Sequence, residues 1–180
     1  TNEPCAPPCW QGIEIGDLRE DALAALRENP LVGEVTEEGD EVSWTSNQTP
    51  DGGGNIHFHQ GAVGDIGYYP EYRLDIQELI ATIGEPEAYI DYFDLRYYRN
   101  HARTLYWPER GIAVIVRGKL NRSGEYLQVR IRPESLVSSA FYFQPSESAI
   151  DVCRNRSLVL GGSGSGCATD FRAWEGYPDD

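Results

Sequence analysis

A capping-box pattern followed by an apolar stripe and a proline stop occurs twice in this chain, and short β-rich segments follow each copy. In GDLREDALAALREN, Asp17 and Glu20 have the spacing of a capping box. Leu18, Ala22, Ala25 and Leu26 recur at helical intervals, and Asn29-Pro30 ends the run. In LDIQELIATIGEP, Asp75 and Glu78 repeat the cap, Ile76, Leu79, Ile80 and Ile83 form the expected buried face, and Gly84 and Pro86 close it. Asp17 and Asp75 stand 58 residues apart, and Pro30 and Pro86 stand 56 apart. Strands are predicted after the first helix at 41–46, 55–60 and 62–69, with DGGGN and QGAV as turn residues between them. After the second helix they are predicted at 87–95, 102–108, 111–118, 125–131 and 138–143. A repeat of this kind predicts an α+β fold: two tandem units, each a helix plus an antiparallel β-sheet, with a C-terminal tail held by disulfides. The expected boundaries are an extended Pro-rich arm over 1–12, units over 13–70 and 71–145, and a tail over 146–180 with a Gly/Ser loop.

At 180 residues with a hydrophobic fraction of 40%, the chain can bury a sizeable core. Its formal net charge of −14 argues against a general nucleic-acid binder, which needs clustered Lys and Arg for phosphate. It argues equally against docking on an anionic membrane surface. No apolar run approaches the roughly 20 residues of a spanning helix, and no charged n-region with an apolar core marks a signal peptide.

The cysteines lie only at the ends: Cys5 and Cys9, then Cys153 and Cys167. Redox motifs place two residues between their cysteines at a helix N-terminus, where the dipole lowers the thiol pKa. CAPPC has three, two of them proline, in an extended segment. Zinc knuckles need tighter spacing than Cys153 and Cys167 offer across GGSGSG. Structural disulfides are therefore expected, in any of three pairings, with a preference for at least one link between the termini and Trp10 packed beside it. The chain has no Met, which together with the cysteines predicts a mature, exported product in an oxidising compartment: secreted, periplasmic or on the cell surface. Sequons at Asn47, Asn121 and Asn155 are compatible with that location.

The phrases IEIGDLREDALAAL, LDIQELIATIGEPEAYIDYF and LYWPERGIAVIV resemble the small outer-membrane-assembly lipoproteins and the β-lactamase-inhibitor-protein-like (BLIP-like) fold. In those families a glycine-led helix closing on LG-x-P precedes a curling sheet. Gly16, Leu23 and Pro30 match in the first unit, and Leu79, Gly84, Pro86, Tyr106 and Gly111 in the second. CWQGI ahead of such repeats is also similar to exported bacterial proteins of unassigned role. TNEP, not a lipobox, precedes Cys5, and no inhibitory residue carries over. The resemblance implies tandem helix-plus-sheet repeats and roles in protein–protein assembly.

Little in the chain suggests catalysis. His57 and His59, at i and i+2 on a predicted strand, share a face as metal ligands on a sheet do, and His101 is the third histidine. GGSGSG lacks the strand and helix of a nucleophile elbow, no phosphate-binding loop occurs, and EEGDE (37–41) suits a solvated hairpin turn better than a calcium loop. The aromatic content is the remaining signal. Tyr68, Tyr92, Tyr97, Tyr98 and Trp107, with Arg96, Arg99, Arg73 and Arg103 nearby, have the composition of a protein-binding surface; equally, tyrosines of this number can fill a core and its rim. The sequence is thus read as a non-enzymatic, cofactor-free protein-binding or assembly module, an accessory subunit of an extracytoplasmic complex whose partner is another protein or a larger envelope assembly. Two alternatives are a small secreted metal-dependent hydrolase using His57, His59 and His101, and a carbohydrate-binding module stacking sugars on Trp44, Trp107 or tyrosine rings.

Overall fold

The computed structural model describes residues 8–49, 51–70, 74–93, 101–123, 126–145, 151 and 172–177. The chain divides into two compact units. The first comprises Thr1–Glu71 with Glu109–Ile112 and Ser139–Ser146, and the second Tyr72–Pro108, Ala113–Ser138 and Glu147–Asp180.

The first unit opens with a minimal hairpin, β1 (Cys9–Trp10) and β2 (Ile13–Glu14), in which Trp10 pairs with Ile13. The two turn residues, Gln11 and Gly12, both have positive φ (51° and 88°), the conformation of a type I′ turn. Helix α1 (Arg19–Glu28) follows, then the meander β3 (Val32–Glu38), β4 (Glu41–Ser46), β5 (Gly53–His59) and β6 (Ala62–Tyr69). Gly39, at φ 60°, begins the β3–β4 turn, so EEGDE is a hairpin end as expected. Inner positions alternate along the strands. Val42 on β4, Ile56 on β5 and Ile66 on β6 form one buried row, onto which α1 lays Ala22, Leu23 and Leu26. Trp10 packs into the same core, 4.7 Å from the Trp44 ring and 5.4 Å from Tyr68. The Trp44 ring crosses β5 at Gly54, where an added Cβ would fall 2.2 Å from it. Gly53 and Gly54 are therefore strand residues and not turn residues.

In the second unit, α2 (Ile76–Ile83) carries the expected cap, with Asp75 Oδ1 accepting from the Glu78 N–H at 2.7 Å. It ends at Gly84 (φ 86°), whose carbonyl accepts from Trp107 Nε1 at 2.8 Å. The strands are β7 (Ala88–Phe93), β8 (His101–Trp107), β9 (Ile112–Arg117, whose first residue belongs to the first unit), β10 (Lys119–Ser123), β11 (Tyr126–Arg130), β12 (Val137–Phe143, divided between the units) and β13 (Arg172–Ala173). A 3-10 turn, Pro108–Arg110, links β8 to β9. Strands β10 and β11 form a separate two-stranded ribbon.

The expected α+β architecture is corrected by the strand order. Nine strands form one antiparallel sheet, ordered β13-β7-β8-β9-β12-β6-β5-β4-β3, and the two helices are only 10 and 8 residues long. The fold is mostly β. The local prediction of helices followed by strands does not extend to separate sheets, because pairing across the sequence, such as Ala140 of β12 with Tyr68 of β6, assigns strands to a sheet. Two details of α1 also differ. Asp17 does not cap it: its Oδ2 accepts from the Glu14 N–H at 2.7 Å, and Leu18 holds the cap position without a side-chain bond. Leu18 is 57% exposed, while Leu23 joins the buried stripe instead. No helix among the described residues is long and apolar enough to cross a membrane.

Candidate functional site

The candidate site is a cleft in the second unit, built from the end of β9, the ribbon and the loop after β11. Lys119 and Arg130 are direct partners in the β10–β11 ladder. Arg117, the last residue of β9, and Arg132, two residues past the end of β11, line the cleft together with Lys119 and Arg130. The cleft has a volume of about 490 Å³, with Leu120 as an apolar contribution and Glu134 as the acidic residue among its described lining. Arg132 and Glu134 are 3.9 Å apart and 60% and 71% exposed, a spacing and exposure at which solvent screens the pair heavily. In a chain with 29 acidic and 15 basic residues, this is a local reversal of sign.

Two sets of contacts fix the cleft. The loop at its base is tied to the start of α2: Ile76 N–H donates to the Ser135 carbonyl at 2.9 Å, Gln77 N–H to the Pro133 carbonyl at 3.0 Å, and Ser135 Oγ accepts from Arg132 N–H at 2.8 Å. The ribbon is tied to β7 by a buried ion pair. Arg103 on β8 donates from Nε to Asp91 Oδ1 at 2.7 Å and from Nη2 to Oδ2 at 3.0 Å, with side chains 3% and 9% exposed. Asp91 Oδ2 also accepts from Val129 N–H of β11 at 3.0 Å, one residue before Arg130. The Tyr89 ring lies 3.9 Å from the guanidinium carbon, and Trp174 meets Tyr89 edge-on at 6.3 Å. Arg103, expected beside an exposed tyrosine face, is therefore an internal fastener. Tyr177, 5.6 Å from Trp174, has its phenol pKa raised by burial and then by the negative charges of Asp75 and Glu134.

The other sequence-predicted residues scatter. Trp107 is buried at 4%, and Tyr68 is half-buried on the inner face of the first unit, so neither presents an outward ring. Tyr69, the other member of its pair, is exposed and stands edge-on to Phe141 at 6.5 Å. Tyr97, Tyr98, Arg96, Arg99 and Arg73, and the side chain of Tyr92, lie outside the described residues. Trp44, considered for sugar stacking, is buried at 5% against Trp10. His57 and His59 do share the outer face of β5. His57 Nε2 accepts from Asn55 Nδ2 at 3.0 Å, since an amide nitrogen can only donate, and Glu41 and Asp65 flank His57 in the ladder. His101 belongs to the second unit and is buried on β8. Among the described residues no three His, Cys, Asp or Glu side chains converge as metal ligands. Cys9 is buried, and no free cysteine occurs among the described residues; Cys5, Cys153, Cys167 and the GGSGSG loop lie outside them, as does the Asn155 sequon. Asn47 donates its amide to the Val32 carbonyl at 2.5 Å. The cleft itself has a sequence signal that residue-type reasoning passed over: R-x-K at 117–119 and R-x-R at 130–132, two short basic clusters at strand ends.

These features define a mostly β protein with a cationic cleft beside a two-stranded ribbon. No family model, no curated protein and no solved structure matches the chain. The resemblance to the BLIP-like and assembly-lipoprotein families therefore rests on the quoted residues alone.

Proposed function

We propose that this chain is a non-enzymatic, extracytoplasmic protein-binding module that serves in a larger envelope assembly. The observation carrying this proposal is the four-cation cleft on the ribbon of an otherwise strongly acidic chain. An acidic body keeps the protein soluble and repels its own copies, while a local patch of opposite sign selects a partner and sets its register. Arg is well suited to this role because its planar donors match carboxylates in pairs. The proposed partner surface therefore moves from the Tyr/Arg set of the sequence to the ribbon. Export is supported by cysteines confined to the two ends, which in an oxidising compartment would close as disulfides.

The test is affinity capture from the native envelope fraction. The wild-type chain is expected to retain one partner in stoichiometric yield, and a Lys119→Glu/Arg132→Glu variant of unchanged thermal stability is expected to retain less than a tenth as much. Equal recovery by both chains, or no stoichiometric partner at all, would rule the proposal out.

A further inference from the structure

The edge of β7 is occupied by the chain's own residues 172–177, and the hold is slight. Arg172 and Ala173 of β13 pair with Tyr89 and Ala88, and Trp174 N–H donates to the Glu87 carbonyl at 3.1 Å. Beyond these backbone contacts the segment rests on its rings: Trp174 meets Tyr89 edge-on at 6.3 Å, and Tyr177 meets Trp174 at 5.6 Å. Arg172, Ala173 and Glu175 are exposed. The Tyr177 hydroxyl is buried with no hydrogen-bond partner among the described residues, which weakens the attachment. The receiving side is built differently. Strand β7 pairs with β8 over six residues, from Ala88 opposite Tyr106 to Phe93 opposite His101. The Arg103 guanidinium lies 3.9 Å from the Tyr89 ring and is fixed in turn by Asp91. All of these residues belong to the second unit. A firm edge carrying an exposed, weakly seated strand is the arrangement of a strand-docking site with a resident occupant.

From this arrangement we infer that the edge of β7 from Glu87 to Tyr89 docks an extended, aromatic-bearing segment of a partner protein, and that residues 172–177 are the occupant it displaces. The partner's backbone takes the ladder positions of Arg172 and Ala173, and its ring takes the place of the Trp174 indole. Charge defines the rest of the segment. Tyr177, whose phenol pKa is raised by burial and then by the negative charges of Asp75 and Glu134, occupies a position that suits a cation better. The net charge of −14 acts in the same sense. The preferred partner segment is therefore aromatic in its middle and basic at its trailing end, a better fit than the segment now seated there. The occupant also has a use of its own: an open strand edge recruits other strands, and a weakly held cover closes it until the matching segment arrives. The inference adds a contact surface on β7 to the protein-binding reading above, and it does not depend on the cations of the cleft.

The test uses the full chain and three synthetic peptides with blocked ends: RAWEGY, which copies residues 172–177, RAWEGK and RAAEGK. Trp174→Ala loosens the occupant and leaves β7 intact. A site that is open for only part of the time binds with its affinity reduced by that fraction, so RAWEGK is expected to bind Trp174→Ala about tenfold more tightly than the wild type. It should also bind more tightly than RAWEGY, and RAAEGK should bind about tenfold more weakly through loss of the ring contact. Hydrogen exchange in the wild type locates the event. The Trp174 amide should exchange faster than the amides of the β7–β8 ladder, and faster still with RAWEGK present. No binding to Trp174→Ala, equal binding to Trp174→Ala and wild type, equal binding of RAWEGK and RAAEGK, or a Trp174 amide as protected as the ladder would each overturn the inference. Failure of Trp174→Ala to fold would do the same, since the segment would then be part of the core, and RAWEGY binding as tightly as RAWEGK would overturn the basic end. The two proposals fail separately: peptide binding without capture from the envelope fraction leaves the β7 site and removes the module, and capture without peptide binding does the reverse.

Discussion

Two glutamines occupy backbone conformations that asparagine tolerates better. Gln11 and Gln60 both have φ just above 50°, each directly before a glycine, in two-residue turns joining β1 to β2 and β5 to β6. Left-handed backbone is costly for a residue with an unbranched aliphatic Cβ, and Asn-Gly is the favoured pair in such turns. Gln60→Asn is therefore expected to stabilise the protein by a few tenths to about 1 kcal/mol, seen as a higher denaturant midpoint at unchanged slope. A lower midpoint would mean that the Gln60 side chain contributes something the turn geometry does not. At this scale the sequence was legible in places. The two D-x-x-E patterns look alike, yet only Asp75 caps a helix. Asp17 lies where the chain pairs with β6: its carbonyl accepts from Val63 N–H at 2.8 Å, and Arg19 N–H reaches the Gly61 carbonyl at 2.9 Å. Those long-range bonds delay the helix to Arg19 and leave the Asp17 carboxylate to the Glu14 N–H. A capping box is local, and what displaced it is not.

At the level of elements, the ribbon depends on a charge pair that sequence patterns do not reveal. Asp91 binds both Arg103 and the Val129 N–H inside the protein. Removing one member of a buried pair leaves the other unpaired at a cost of about 3–5 kcal/mol, whereas replacing both with apolar groups is often nearly neutral. Asp91→Ala should lower the denaturant midpoint by a corresponding amount, and Asp91→Ala/Arg103→Met should recover most of it. A double variant as unstable as the single would show that the pair has more partners than the bonds described. Two of the strands that sequence reasoning missed share a cause. Segment β3 reads VGEVTEE and β10 reads KLNRS, both rich in charged or polar residues with weak β preference. They are strands because β4 and β11 offer ladders to complete, which is a property of the neighbour. The strands rich in Val, Ile and aromatics, β4, β6 and β9 among them, lie at or within a residue of their predicted places.

For the whole molecule, the buried phenols set an alkaline limit. Burial raises the pKa of Tyr106 strongly and pushes that of Tyr142 up to about 12, the latter helped by the nearby Tyr68. Tyr69 shifts the same way through burial and then Glu41. In the unfolded chain these groups titrate near pH ~10. Below that pH the folded state holds their full contribution. As pH rises from about 10 towards 12, the unfolded chain binds fewer protons than the native one, so stability falls. Denaturant midpoints should be flat to about pH 9 and decline beyond about pH 10, with part of the phenolate absorbance appearing only near the unfolding transition. A single titration near pH 10 of all tyrosines in the intact fold would contradict this. Composition foretold much at this scale: an acidic chain, able to build a core, with no helix among the described residues long and apolar enough to cross a membrane. The strand order was not legible, because it is set by which distant edges meet.

One such meeting has a kinetic consequence. The first unit is discontinuous in the chain, since β6 is covered on one side by β12, with Tyr68 opposite Ala140. During synthesis, the edge of β6 stands open until residues 137–143 arrive. Contacts of such long sequence separation form slowly, and an open strand edge recruits other strands in the meantime. The chain therefore has a vulnerable interval early in its life that ends only when β12 is delivered.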